Sequence, residues 1–175
     1  GFVEWYGGKS DMDSFAVSIA RPDHWNLVDC IAVVESAHKP TGSSDGHKLA
    51  SSSPFQAARV ADADRRLDRC RDALHTRDFG TLAEIIEEDS NLMHAVMMTS
   101  RPALFYWEPA TLEIMKADQA WRKAGIPAAY TIDAGPNVHV ICEAGALENI
   151  KHRLSTIPGV KQILVGHPGG PAVIV

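Results

Sequence analysis

The sequence predicts an α+β fold, a ferredoxin-like split βαβ sandwich in which helices cover an antiparallel sheet. Three observations carry that prediction. Apolar, strand-like stretches stand at 13–20 and 27–35. Three stretches with helical spacing follow one another between residues 55 and 123. A strand–turn–strand pattern at 128–144 then leads into one more helix and one more strand. The order β-β-α-α-α-β-β-α-β mixes hairpins with crossover helices, which a purely parallel sheet does not.

Each element has its own signal. Residues 27–35 (LVDCIAVVE) are nearly continuous in apolar residues, as a central strand requires. Between the first two strands, RPDHWN supplies turn chemistry through Pro22, Asp23 and Asn26. The polar stretch 36–53, rich in Ser and Gly, reads either as a surface loop or as an anion-binding loop. Ser53-Pro54 suits an N-cap and first helical position, so a helix is expected over 55–78. It carries Phe55, Ala58, Leu67, Cys70 and Leu74 amid charges. A second helix is expected over 79–97 and a third over 109–123, the latter stopped by Gly125-Ile126-Pro127. The tetrad Ala134-Gly135-Pro136-Asn137 splits 128–144 into two strands. A helix over 144–157, a strand in VKQILVG and a short strand in the tail PAVIV complete the chain.

Composition bounds the function. The chain has 175 residues, one domain by the usual prior, with 45% hydrophobic and 22% charged residues. That is enough for a core, since domains of this size bury about 70% of their unfolded surface. A net charge of −5 with no basic block argues against a nucleic-acid partner. No apolar run approaches the ~20 residues that span a bilayer. Three scattered cysteines, Cys30, Cys70 and Cys142, fit a reduced, cytoplasmic compartment rather than a disulfide framework. No secretory signal is visible, and the start GFVEWYGG, without an initiator Met, reads as part of something longer.

The local candidate for chemistry is Asp133, at a strand end before the tetrad and beside apolar Ile132, Val138 and Val140. Two readings stand: a turn residue bonding its own backbone, or a positioned base and hydroxyl-orienting acceptor. A carboxylate close to buried surface needs hydrogen bonds or a cation. The eight histidines show no metal-site spacing, so no metal site is expected in this chain. His94 and His139 are expected to be packed, His75 and His152 solvated. Glu87, Glu88 and Asp89 read as a solvated helix face. Trp5, Trp25, Trp107 and Trp121 are expected as core and interface anchors. Neither GxxxxGK[ST] nor GxGxxG occurs.

Several segments carry a resemblance. GFVEW, DSFAVSIARPDHW, TGSSDGHKLASSSP, DSNLMHA and above all AYTIDAGPNVHVI resemble, in order, the diphosphomevalonate decarboxylase family, a branch of the superfamily of galactokinase, homoserine kinase and mevalonate kinase. The resemblance covers nearly all of the chain but only the C-terminal part of such an enzyme. It implies that residues 1–175 form a C-terminal substrate-binding and catalytic domain. The N-terminal domain, with its glycine- and serine-rich phosphate segment, would lie outside the chain, and ATP and Mg2+ would be bound mainly there. The implied reaction phosphorylates the 3-hydroxyl of diphosphomevalonate with ATP, then expels that phosphate with carbon dioxide to give isopentenyl diphosphate.

By the same resemblance Asp133 is the catalytic aspartate, and Ser43, Ser44, His47 and Ala134 belong to the substrate site. Ser44 and His47 stand where relatives often carry Arg or Thr and Met, so the monophosphate, 5-phosphomevalonate, is the alternative substrate. A non-catalytic ferredoxin-like ligand-binding or association module is the alternative of another class. One domain cannot position ATP against the hydroxyl, so the isolated chain is expected to be inactive. An apolar face left by the missing half is expected to support a homodimer.

Overall fold

The computed structural model describes residues 1–35 and 42–171. The expected terminal strand, PAVIV at 171–175, lies outside the described residues except for Pro171, which is in no strand.

Four strands form one antiparallel sheet: β3 (Leu27–Val33), β4 (Ala128–Thr131), β5 (Val138–Glu143) and β6 (Gln162–Gly166). Their spatial order is β4-β5-β3-β6. The unit β3–helices–β4 is therefore interlocked with the unit β5–helix–β6, which is the split βαβ arrangement. Register follows from alternation. Val28, Cys30 and Ala32 are buried on one face of β3, paired with Cys142, Val140 and Val138 of β5, and Val34 just past the strand is buried with them. Two helices cover that face: α5 (Pro109–Lys123) with Ile114, Met115 and Trp121, and α6 (Leu147–Ser155) with Ile150 and Leu154. Cys30 and Cys142 are enclosed there as free thiols, and Cys70 is half-buried.

On the other side, α3 (Ala63–Thr76) and α4 (Phe79–Thr99) pack together over a smaller cluster containing Trp25, Leu27, Ala73 and Leu82, with Ile141 against it. Helix α4 also closes the free edge of β4. Its Ser90 Oγ accepts from Ile132 N at 3.0 Å, and Glu87 Oε1 accepts from Tyr130 N at 3.4 Å. Arg122 of α5 donates to the Ala128 carbonyl at 2.7 Å. Side chains thus satisfy edge groups that a further strand would otherwise meet.

Several expectations are corrected. Residues Phe2–Tyr6 form a strand, β1, that the sequence reading left unassigned. It pairs with β2 (Phe15–Ala20) in a separate antiparallel ribbon. Glu4 of β1 pairs with Arg71 of α3, the Nε contact being 2.9 Å. The expected single helix 55–78 is two: α2 (Gln56–Ala61) and α3, hinged at Asp62, whose carboxylate takes Arg65 at 2.7 Å and Arg66 at 2.9 Å. Ser53 does not cap at the expected position. It is buried, accepts from Phe55 N at 3.1 Å, and the helix begins at Gln56. The polar stretch is a loop only in part: 43–50 is the helix α1 (Ser43–Ala50), and 36–41 lies outside the described residues.

Glu87 is no solvated residue. It is buried and grips Arg122 at 2.6 and 2.8 Å, a use of the charge that a run of acids conceals. Among the tryptophans, Trp25 and Trp121 are core, Trp107 packs at its border, and Trp5 is 72% exposed.

Candidate active site

The turn after β4 is fixed from three directions. Thr111 of α5 donates to the Pro136 carbonyl at 2.7 Å. Asn137 Oδ1 accepts from the main-chain N–H groups of Val34 and Glu35 at 2.9 and 3.0 Å, tying the turn to the end of β3. On the strand side, His94 Nε2 meets the Ile132 carbonyl at 3.1 Å. A carbonyl only accepts, so Nε2 carries the proton. Burial lowers the His94 pKa below the ordinary imidazole value and keeps the ring neutral. The ring packs on Trp107 at 4.9 Å between centroids and edge-on to Tyr106 at 6.0 Å.

Asp133 leaves this held strand end with its side chain exposed. Gly135 N donates to its main-chain oxygen at 2.7 Å, so the turn bond uses the backbone and not the carboxylate. No hydrogen bond from the described residues reaches that carboxylate. The expectation of a near-buried acid in need of a partner is therefore corrected: the side chain is exposed and has no hydrogen bond among the described residues.

Asp133 lines a cavity of about 590 Å³ together with Ala134, Ser43, Gly46 and His47 of α1, Arg59 of α2, Met97 of α4 and Tyr106. Helix α1 starts at its rim with Gly42 as N-cap and no side-chain cap. Its first turn leaves main-chain N–H groups without partners among the described residues, the first internal bond being Gly46 N to Gly42 O. Gly46 lets α1 sit down on α4: a Cβ there would lie 2.8 Å from Tyr106 Oη and 3.3 Å from Met97 S.

Of the residues singled out by sequence, the fold brings Ser43, His47, Asp133 and Ala134 to one cavity and leaves Ser44 exposed outside its lining. Arg59, Tyr106 and Met97 escaped the sequence reading. The signal for Arg59 was available: it is the lone charge in the apolar run QAARVA.

Comparison with known proteins agrees across the chain. The family described as Mevalonate 5-diphosphate decarboxylase C-terminal domain matches residues 30–164. Diphosphomevalonate decarboxylase of Debaryomyces hansenii is 35% identical over 150 residues, covering 82% of this chain and 39% of that protein. Phosphomevalonate decarboxylase of Haloferax volcanii is 28% identical over 176 residues, covering 99% and 52%. A solved structure of the mevalonate diphosphate decarboxylase from Enterococcus faecalis, described by its mevalonate diphosphate mediated ATP binding mechanism, aligns with a TM-score of 0.86 at 32% identity, covering 97% of this chain and 52% of that one. The chain thus spans about half, or less, of the length of these relatives. With its split βαβ sheet and its DAGPN turn at the cavity, it belongs to the mevalonate 5-diphosphate decarboxylase C-terminal domain family.

Proposed function

We propose that this chain is the C-terminal domain of an ATP-dependent decarboxylase that converts 5-diphosphomevalonate to isopentenyl diphosphate, a step of isoprenoid synthesis. The observation that carries the reading is the convergence of Asp133 and the start of α1, with Ser43 and His47, on one cavity. In this reading Ser43 and the open N–H groups of α1 bind substrate oxygens, and Ala134 shapes the wall beside Asp133.

Asp133 orients the tertiary 3-hydroxyl and takes its proton as that oxygen bonds to the γ-phosphorus of ATP, while the bond from that phosphorus to the bridging oxygen breaks and ADP leaves. Being exposed, the carboxylate returns the proton to water and is again anionic. The C3–O bond then breaks with its electrons on the departing phosphate. The bond to the carboxylate carbon supplies the pair for the new C=C bond, and carbon dioxide leaves. A fixed negative charge beside C3 favours the cationic character developing there.

ATP and Mg2+ are proposed to sit mainly on an N-terminal domain outside this chain. Among the described residues no group of three or more His, Cys, Asp or Glu could hold a metal ion, and this chain is assigned no metal ligand. The isolated chain is accordingly proposed to be inactive. A homodimer is the proposed assembly, supported by the exposed apolar ribbon of β1 and β2 with Val3, Trp5 and Phe15. Among the described residues no helix is long and apolar enough to cross a membrane. A cytoplasmic location is proposed.

A second reading keeps the chemistry and changes the substrate to 5-phosphomevalonate. It is favoured by His47, which lines the cavity, and by the 99% coverage of this chain in the Haloferax comparison. The test is an assay of the enzyme containing this domain with ATP and each substrate, following phosphate and carbon dioxide together. Release of both in equal amounts is expected, and the substrate with the higher kcat/KM decides between the readings. Release of neither, with either substrate, returns the chain to the non-catalytic module.

A further inference from the structure

The cavity that receives Asp133 has one permanent cation among its described lining residues, Arg59. The reading above puts a substrate with a carboxylate and one or two phosphates next to the Asp133 carboxylate. That concentration of negative charge needs a fixed positive partner. Arg59 is placed as such a partner would be. It forms the wall between this cavity and a second one of about 340 Å³, and it lines both. Asp89, which pairs with the guanidinium, lines only the second.

That hold neutralises Arg59 incompletely. Asp89 reaches it through one nitrogen only, Nη2, at 3.2 and 3.3 Å. The same carboxylate serves Arg66 Nε at the shorter distance of 3.0 Å. Arg66 also donates to the Arg59 carbonyl at 2.9 Å, which anchors the backbone beneath the side chain. Arg59 Nε is buried and has no hydrogen-bond partner among the described residues. A guanidinium that is three-quarters buried and shares its counter-ion is an expensive arrangement unless an anion joins it at its accessible end.

Resting on the proposed reaction, we propose that Arg59 is a specificity-determining residue of the cavity, which binds an oxyanion of the substrate, phosphate or carboxylate, while Asp89 holds it in place. It sets affinity and orientation and takes no part in bond breaking.

The test uses the enzyme containing this domain. Arg59→Gln is expected to raise KM for mevalonate diphosphate about tenfold or more, the loss typical of a charge-assisted hydrogen bond, with kcat within about threefold. An unchanged KM in a variant that melts like the wild type overturns the proposal. Should Arg59→Gln not fold, Arg59→Lys decides: its point charge lacks the fork, so KM is expected to rise about threefold or more, and an unchanged KM again overturns the proposal. Binding of mevalonate, 5-phosphomevalonate and mevalonate diphosphate to wild type and variant separates the two sources. Weaker binding of all three assigns Arg59 to the carboxylate end. Weaker binding of the two phosphorylated compounds alone assigns it to the phosphate end. No loss for any overturns the proposal. Asp133→Asn, run beside these, isolates the underlying reading: if it keeps full turnover, the reaction assignment fails, whatever Arg59 does.

Discussion

The buried imidazole of His94 donates from Nε2 to the carbonyl of Ile132, the residue immediately before Asp133. The strand end is thereby fixed one residue ahead of the exposed carboxylate. Ser90 Oγ also donates to that carbonyl, at 3.2 Å, so replacing His94 by Leu removes one of its two donors and should cost about 1 kcal/mol in urea unfolding. Stability should also depend on pH. The folded-state pKa of His94 is lowered by burial, so the unfolded chain binds the proton more readily. Stability from this residue is whole above the ordinary imidazole pKa of about 6.5 and is lost as pH falls below it. Urea midpoints of wild type and His94→Leu at pH 7.5 and 5.5 check this: the wild type should lose more on acidification than the variant.

Asp133→Asn keeps the shape of the side chain and removes its charge. Substrate binding measured by calorimetry should hold within a few-fold, while kcat of the enzyme containing this domain should fall by about 10³-fold or more. Stability should stay within about 0.5 kcal/mol, since the carboxylate is exposed and makes no bond with the described residues.

Asp118 of α5 is wholly buried with one unpartnered oxygen. Burial first, and the nearby Glu87 charge second, push its pKa up to about 8, against the pull of Arg122 at 3.1 Å. For an acid whose folded pKa is raised, the native state holds the proton longer. Stability is therefore greatest below the ordinary carboxylate range and declines as pH rises from about 4 towards 8. Asp118→Asn should flatten that decline, and its advantage over wild type in thermal melting should be larger at pH 8 than at pH 5.

Gly46→Ala places a methyl group against Tyr106 Oη and Met97. Alanine gains helix propensity of about 1 kcal/mol, and overpacking costs about 1–3 kcal/mol, so net stability should fall modestly. The sharper effect is on the cavity, because α1 must move outward and carry Ser43 and His47 with it. Substrate affinity should drop more than stability does, which calorimetry and melting on one preparation will show.

The long helices α4 and α5 and the strands β3 and β5 were legible because their apolar spacing repeats over many residues. The DAGPN turn was legible from its residue types alone. Helix α1 was not, because SSDGHKLA has loop composition and packs through a glycine whose partners, Tyr106 and Met97, are distant in sequence. The break at Asp62 was hidden because a residue that ends one helix and binds two arginines looks like any charge on a solvated face. At the site, Asp133 stood out by its place before the turn as well as by resemblance, and Ser43 by resemblance alone. Arg59 offered a local signal, the lone charge in QAARVA, but its place on a wall shared by two cavities rests on contacts distant in sequence. Glu87 was misread for a related reason: its partner Arg122 lies 35 residues away on another helix.

The three thiols occupy very different surroundings, two sealed against α5 and α6 and one, Cys70, half-covered beside α4. A mild sulfhydryl dye added to the native chain thus has one sulfur within reach, and the burial that raises the Cys70 pKa slows even that reaction. Cys30 and Cys142 become available only when the sheet parts from its helices. The chain carries its own stopwatch for opening of the domain, readable without any engineered label.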